Sequence, residues 1–353
     1  MKKNRIAGLA LALAAAGTVA AQDAYPPLVT GNQVVAVEKG LHWLASTQER
    51  DGSWGGGAHG QSYPIAMTAC AGVALLAGGN TPTRGKYSKN VRAAVEFLLA
   101  KQDTGTGLYM GDMEQRSMYG HGYTMLFLAE VYGMTGAQTR GPDLLQDRIR
   151  ESLVQAIERT RTAQTATGGF GYEANARGSD EGSVTVTQIQ GIRACMNAGI
   201  MVPGEIIEKS YSYLESCQNT DGGIRYRAGQ GGNTRPAITA AACASLYAQS
   251  NEQSPVAEKA FEYIKTQMLS GQLDAQWAGS WYFYTQFYMA QVLYIRGGAD
   301  WEDYYPRVRN EIVGRQNADG SWAGDGAVGP TLGTAMAIVI LQLPYQNVPV
   351  FQR

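Results

Sequence analysis

The stretch Gln48-Glu49-Arg50-Asp51-Gly52-Ser53-Trp54 returns near the far end of the chain as Gln316-Asn317-Ala318-Asp319-Gly320-Ser321-Trp322. Between these copies lie four degenerate versions, anchored at Gln102, Gln164, Gln218 and Gln267, so the 353 residues read as one unit used six times. Successive anchors are 54, 62, 54, 49 and 49 residues apart. Self-similarity at such a period decides the architecture ahead of local propensity. The turns after the Gln read ERDGSW, DTGTGL, TATGGF, NTDGGI, MLSGQL and NADGSW. The fifth is the most degenerate, with a displaced Gly279-Ser280-Trp281. A second anchor keeps step. One Thr lies 18 to 23 residues after each Gln, at Thr68, Thr124, Thr187, Thr239, Thr285 and Thr334, and opens an apolar run.

Periodicity supplies the elements. Val91, Ala94, Val95, Leu98 and Leu99 follow the i, i+3, i+4, i+7 spacing of a helix with one buried stripe, and Ile207, Tyr211 and Leu214 repeat it. The runs opened by the Thr anchors are apolar nearly all round; residues 335–341 read AMAIVIL. A helix without a polar face is buried on every side. Each unit therefore predicts a helical hairpin, amphipathic helix outside and apolar helix inside, with Pro203, Pro255 and Pro330 falling between helices. An open array needs polar capping repeats, whereas here the first and last units carry the best-preserved motifs. The expectation is an all-α, closed (α/α)6 toroid with unit six packed on unit one. It forms a single domain over 34–345, preceded by an extension over 22–33 and followed by a C-terminal tail over 346–353.

Residues 1–21 read as a secretory signal: Lys2, Lys3 and Arg5, an apolar stretch from Ile6 to Ala16, and the small-residue site Val19-Ala20-Ala21. The apolar stretch is too short to span a bilayer, and the mature chain is expected in the periplasm or outside the cell. Removing three basic residues from 29 leaves 26 against 30 acids, a net charge of about −4. No basic patch of the kind nucleic acid requires is present, nor a polybasic run to hold an anionic membrane. The four cysteines, Cys70, Cys195, Cys217 and Cys243, contain no CxxC pair. Cys195 and Cys243 fall at comparable depths on neighbouring inner helices, open to a bridge or to buried thiols.

Gly40-Leu41-His42-Trp43-Leu44 with Gln48 and Asp51-Gly52-Ser53-Trp54 resembles the QW motif of the α/α-toroid superfamily of terpene cyclases (squalene–hopene type) and protein prenyltransferases. Val95-Glu96-Phe97-Leu98-Leu99 with Gln102, and Ser212-Tyr213-Leu214 with Gln218 to Gly223, are similar to weaker copies. The resemblance covers roughly residues 34–345. It implies a central cavity, lined by inner helices and rimmed by the segments leading into them, and a Gln that caps helix ends. It does not fix a reaction, because the motif is structural and one fold hosts many functions.

Two family chemistries are missing their residues. The family's cyclases protonate an alkene with an Asp-x-Asp-Asp-Thr motif, but the segments before the Thr anchors read PIAM, GHGY, SVTV, RPAI, WYFY and PTLG, without an acid. The prenyltransferase zinc site needs Asp, Cys and His on two inner helices. The fifth and sixth units lack them, and His42, His59 and His121 have no ligand spacing. No metal and no cofactor are expected. One segment does match: Gly120-His121-Gly122-Tyr123-Thr124 is similar to the prenyltransferase segment whose His contacts a substrate diphosphate, so the resemblance implies a ligand contact at His121 and Tyr123. It competes with a His that merely serves a helix start.

Around the rim, units two to five are polar and aromatic. Unit three offers Tyr172, Arg177, Asp180 and Glu181; unit four Arg225, Tyr226, Arg227 and Arg235; unit five Trp281, Tyr282 and Tyr284. Units one and six carry mainly Gly and Ser, with His59 and Asp325. The candidate ligand residues are therefore His121, Tyr123, Asp180, Glu181, Arg225, Arg227, Arg235, Trp281, Tyr282 and Tyr284, with Arg supplying bidentate donors for phosphate or carboxylate. The expected occupant is a small apolar or anionic molecule; the alternative is docking of an envelope protein. An enzyme on an isoprenoid diphosphate, or a polysaccharide lyase or hydrolase using the Asp180/Glu181 pair, are the competing readings.

Overall fold

The computed structural model of the protein describes residues 25–58, 61–112, 114, 116–135, 145–229, 231–247, 254–269, 281–326 and 328–353. Among them twelve α-helices form six hairpins. These are α1 (Gly31–Thr47) with α2 (Pro64–Ala77), α3 (Ser88–Ala100) with α4 (Ser117–Thr135), and α5 (Leu145–Ala163) with α6 (Gly182–Asn197). They continue with α7 (Gly204–Ser216) and α8 (Pro236–Tyr247), α9 (Pro255–Tyr263) and α10 (Tyr282–Arg296), and α11 (Gly298–Gly314) and α12 (Pro330–Gln342). Two short antiparallel ladders, β1 (Gly57–Ala58) with β2 (Gln61–Ser62) and β3 (Phe170–Gly171) with β4 (Asp180–Glu181), pin the loops of units one and three.

Even-numbered helices touch in the order α2, α4, α6, α8, α10, α12 and back to α2, so the inner ring is closed. Burial follows the periodicity that predicted it. Inner helix α2 buries every residue from Ile65 to Ala77, whereas outer helix α3 buries only Val91, Ala94, Val95, Phe97 and Leu98. Pro255 and Pro330 sit at the first position of α9 and α12 rather than between helices, and Pro64 and Pro236 do the same for α2 and α8. There the missing N–H has no partner to lose.

The repeated motif is a staple. An amide NH2 has two protons, and Gln48 uses both: one on the carbonyl of Gly52 (2.8 Å), closing its own turn, one on Asn90 at the start of α3 (3.0 Å). Gln102 bridges Gly107 and Ser152, Gln164 bridges Gly168 and Ile206, and Gln218 bridges Gly222 and Val256. Gln316 bridges Gly320 and Ala36 of α1, so the last unit is stapled to the first. The glycine is required twice over. Gly52 has φ +93°, and a Cβ there would lie 2.4 Å from the carbonyl oxygen of Ala93 on the next outer helix. Trp54 and Trp322, both fully buried, send their indole N–H to Leu44 (2.8 Å) and Ile312 (2.6 Å), holding each turn against its own outer helix.

The second anchor needs correction in two units. The hydroxyl that receives the backbone N–H of the turn lies 12 to 15 residues later, at Thr68, Thr185, Thr239 and Thr334. Thr187 instead bonds back to Ser183 within α6. In unit two the acceptor is not Thr124 but His121, whose Nδ1 takes the N–H of Tyr109 at 3.3 Å. Unit five departs further: Gln267 lies in a π-helical turn, Ile264–Met268, and among the described residues its amide reaches Thr266 at 3.5 Å. Residues 270–280, including Gly279 and Ser280, lie outside the described residues.

Beyond α12 the chain does not trail away as a tail. It makes two 3-10 turns, Leu343–Tyr345 and Pro349–Phe351, and buries Val348, Val350 and Phe351. The second turn packs on α4 and α6, Phe351 meets Phe287 of α10 edge-on, and Asn347 donates to the carbonyl of Ala77 at 2.8 Å. The C-terminal residues thus form a floor where the inner helices end. Glu130 of α4, buried, takes the backbone N–H of Val350, and burial pushes its carboxyl up to about 8. All four cysteines are buried free thiols.

Candidate functional site

At the opposite end, where the inner helices begin, the ring encloses a cavity of about 510 Å3. The first turn of each of the six inner helices, or the residues leading into it, reaches its wall. Arg116, Tyr119, Tyr123, Tyr172, Ser183, Tyr226, Arg235, Ile238, Trp281 and Tyr284 come from units two to five. Units one and six add Tyr63, Ala66, Met67, Val328 and Leu332. One side of the wall is therefore aromatic and hydroxyl-rich, the other mainly aliphatic. No carboxylate is among these lining residues, and the inner helices direct the positive ends of their dipoles at this end of the ring.

Two acids near the rim, Asp325 and Glu181, are held off the wall because they cap helices. Asp325 of unit six accepts the N–H groups of Phe283 (3.0 Å) and Tyr284 (2.8 Å), capping α10 from the neighbouring unit. Glu181 caps α6, accepting the N–H of Ser183 at 2.9 Å and of Val184 at 2.7 Å. Glu181 also receives the hydroxyls of Ser183 (2.7 Å) and Tyr119 (3.2 Å). Burial raises both carboxyls above the ordinary carboxylate range while these donors pull the other way. Asp180, adjacent in sequence, points elsewhere because neighbouring strand residues face opposite sides; it is bonded to Thr165 (2.8 Å) and Thr167.

Aromatic contacts tie the wall together. The Arg116 guanidinium lies over the Tyr172 ring at 4.4 Å, and Tyr119 packs on the same ring at 5.9 Å. The Tyr172 and Tyr226 hydroxyls bond to each other, and Tyr123 reaches Tyr288 deeper in the ring at 3.4 Å. Burial holds the hydroxyls of Tyr119, Tyr123 and Tyr284 well above the ordinary phenol range, so they are neutral hydrogen-bonding groups. Trp281, exposed at 44%, sits edge-on to Tyr284 at 6.4 Å.

Of the ten residues expected from the sequence, Tyr123, Arg235, Trp281 and Tyr284 meet on this wall. His121 does not. It is fully buried between α4 and α5, with Nε2 near the Ala156 carbonyl (3.2 Å) and the Thr160 hydroxyl (3.1 Å). Desolvation lowers it to about 4, so it is a neutral structural imidazole. Arg225 turns outward to the last carbonyls of α7, donating to Ser216 at 2.8 Å, as cations at helix C-termini do. Arg227 lies over the Tyr226 ring at 5.4 Å without reaching the wall. Tyr282 is buried beneath the Arg315 guanidinium of α11, 4.0 Å from the ring centre. His59 lies outside the described residues.

Sequence reasoning missed Tyr63, Met67, Arg116, Tyr119, Ser183 and Leu332. A signal was present: Arg116, Tyr119 and Tyr123 fall at i, i+3 and i+7, one stripe of α4 and its lead-in. It also missed Glu114, buried behind the wall. Its Oε2 accepts from the Gly111 N–H (3.2 Å), its Oε1 has no hydrogen-bond partner among the described residues, and burial pushes it up to about 7. Gly120 is small because a Cβ there would sit 2.9 Å from Ile65 and 3.1 Å from this Oε1.

Among the described residues no three His, Cys, Asp or Glu side chains are placed to hold a metal ion, and no helix is long and apolar enough to cross a membrane. No curated protein matches the sequence. Solved structures do match in fold. A type II terpene cyclase from Scytonema, MstE, is 14% identical with TM-score 0.59, covering 91% of this chain and 100% of that one. The GH76A α-1,6-mannanase of Salegentibacter sp. HEL1_6 is 10% identical with TM-score 0.64, covering 88% and 98%. A protein from Actinoplanes is 16% identical with TM-score 0.59, covering 89% and 99%. At these identities the likeness is one of fold. The model of the prenyltransferase α/α-toroid domain matches residues 12–143 and 136–272, most of the chain. With the closed ring and its Gln staples, this makes the chain a member of the prenyltransferase α/α-toroid domain family.

Proposed function

We propose that this protein is a ligand-binding toroid whose chamber takes an elongated apolar molecule carrying an anionic group. The observation that carries the reading is the composition of the wall among the described residues: aromatic and aliphatic side chains, two arginines, Arg116 and Arg235, and no carboxylate. An apolar body gains roughly 25 cal/mol for each Å2 removed from water. The arginines and the helix dipoles favour a carboxylate or phosphate at the mouth and disfavour a cation. With this reading goes the expectation of a periplasmic or secreted protein, which cell fractionation tests.

The direct test compares dodecanoate with dodecyltrimethylammonium, equal chains of opposite charge, by quenching of Trp281 fluorescence and by calorimetry. Tighter binding of dodecanoate supports the reading; equal or tighter binding of the cation overturns it.

Chemistry on the bound molecule is a second reading, favoured by Glu114. A carboxyl pushed up to about 7 beside the chamber exchanges protons near neutrality. Turnover of a bound substrate abolished by Glu114→Gln would establish it. The polysaccharide reading finds less support, since Asp180 and Glu181 are both engaged by other groups and neither is on the wall.

A further inference from the structure

Tyr119 and Ser183 stand side by side on the chamber wall, 2.6 Å apart between hydroxyl oxygens, with Glu181 directly behind them. Glu181 is fully buried and gathers four donors: the backbone N–H groups of Ser183 and Val184 and the hydroxyls of Ser183 and Tyr119. The two N–H groups can only donate, so both carboxylate oxygens are acceptors at the start of α6. Ser183 donates to Glu181 at 2.7 Å, and Tyr119 donates to Ser183 or to Glu181. By either route both hydroxyl protons are turned away from the chamber. What faces the cavity is lone pairs.

We infer that Tyr119 and Ser183 form an acceptor subsite, backed by Glu181, that recognises a hydroxyl O–H on the ligand. The inference rests on the chamber reading above and adds a second polar contact to it. A ligand that offers only an ether, ester or carbonyl oxygen here would leave the acceptors unpaired and its own oxygen facing theirs. A site built around buried hydrogen-bonding groups rejects such an analogue more strongly than an apolar pocket rejects a change of size. The ligand class is thus narrowed to an amphiphile bearing an alcohol or phenol.

The test uses para-nonylphenol and para-nonylanisole, which share one apolar body and differ in whether the oxygen carries a proton. Titration calorimetry on the full chain gives the ratio of their dissociation constants. We expect the phenol to bind about tenfold more tightly, and the ratio to fall to about one in Tyr119→Phe and in Ser183→Ala. Glu181→Gln also removes the cap of α6, so its folding is checked by circular dichroism; if it folds, the ratio falls there too. Equal binding of the two probes by the unaltered chain overturns the subsite and leaves the chamber standing. Binding of neither probe overturns the chamber reading and the subsite with it. A ratio unchanged by both Tyr119→Phe and Ser183→Ala assigns the discrimination to other residues and also overturns the inference.

Discussion

The turns on the outer wall and the segments that open the inner helices are neighbours in every unit, yet they follow opposite rules. Five of the six turns make the same hydrogen bonds with the same atoms: a Gln amide shared between its own turn and the next outer helix. The openings share little beyond their position. One presents Arg116 and Tyr119, another Arg235 and Pro236, another Trp281 and Tyr284, another Val328 and Leu332. A staple must be alike everywhere for the ring to close, whereas a wall around one asymmetric ligand gains nothing from sameness. Uniformity marks what holds the ring together, and variation marks what the ring is for.

The largest expected effect lies on the uniform side. Trp322→Ala removes a fully buried indole and its bond to Ile312, and should cost about 3–5 kcal/mol in urea unfolding. A loss under about 1 kcal/mol would break the claim that the turns hold the ring. The floor follows neither rule, and Glu130 tests it through pH. Its folded-state value of about 8 exceeds the ordinary 4.5, so the fold keeps a proton that the unfolded chain releases. Stability is therefore lost as pH rises from about 4.5 to about 8 and changes no further above that. Glu130→Gln should be the more stable protein by about 4 kcal/mol at pH 8 and differ little at pH 4; parallel melting curves across this range would refute it.

Gly168→Ala is the next step down. At φ +93° its Cβ would lie 2.1 Å from the Lys209 carbonyl oxygen, and a loss of about 2 kcal/mol is expected in thermal melts. The smallest effect on stability belongs to the variable side. Arg116→Met should change unfolding by less than about 0.5 kcal/mol while weakening dodecanoate binding about tenfold. If it weakened the fold as much as the turn variants do, the division between staple and wall would fail.

That division also explains what could be read in advance. The ring was legible because the staple is local and repeated: Gln48 and Gly52 sit a few residues apart, and the pattern recurs at Gln316 and Gly320. The aromatic character of units two to five was legible from composition, and Tyr123, Arg235, Trp281 and Tyr284 reached the wall. What escaped was direction. His121 and Tyr123 are two residues apart on one helix, which turns them to different sides, one toward α5 and one toward the chamber. Arg225 and Arg235 belong to one unit, but the first is drawn to the end of α7. Glu181 looked like a free carboxylate because its four donors come together only when β4 leads into α6. Thr187 looked like the anchor because the loops vary in length, and only the backbone N–H of Phe170 selects Thr185.

Among the described residues Val348, Val350 and Phe351 fill the end of the ring away from the chamber, so a long guest entering beside Trp281 goes in one end first and stops against a plug. The same arrangement makes the C-terminal end a poor handle. A fusion joined after Arg353 tugs on the plug, and its linker length should alter the protein's melting behaviour.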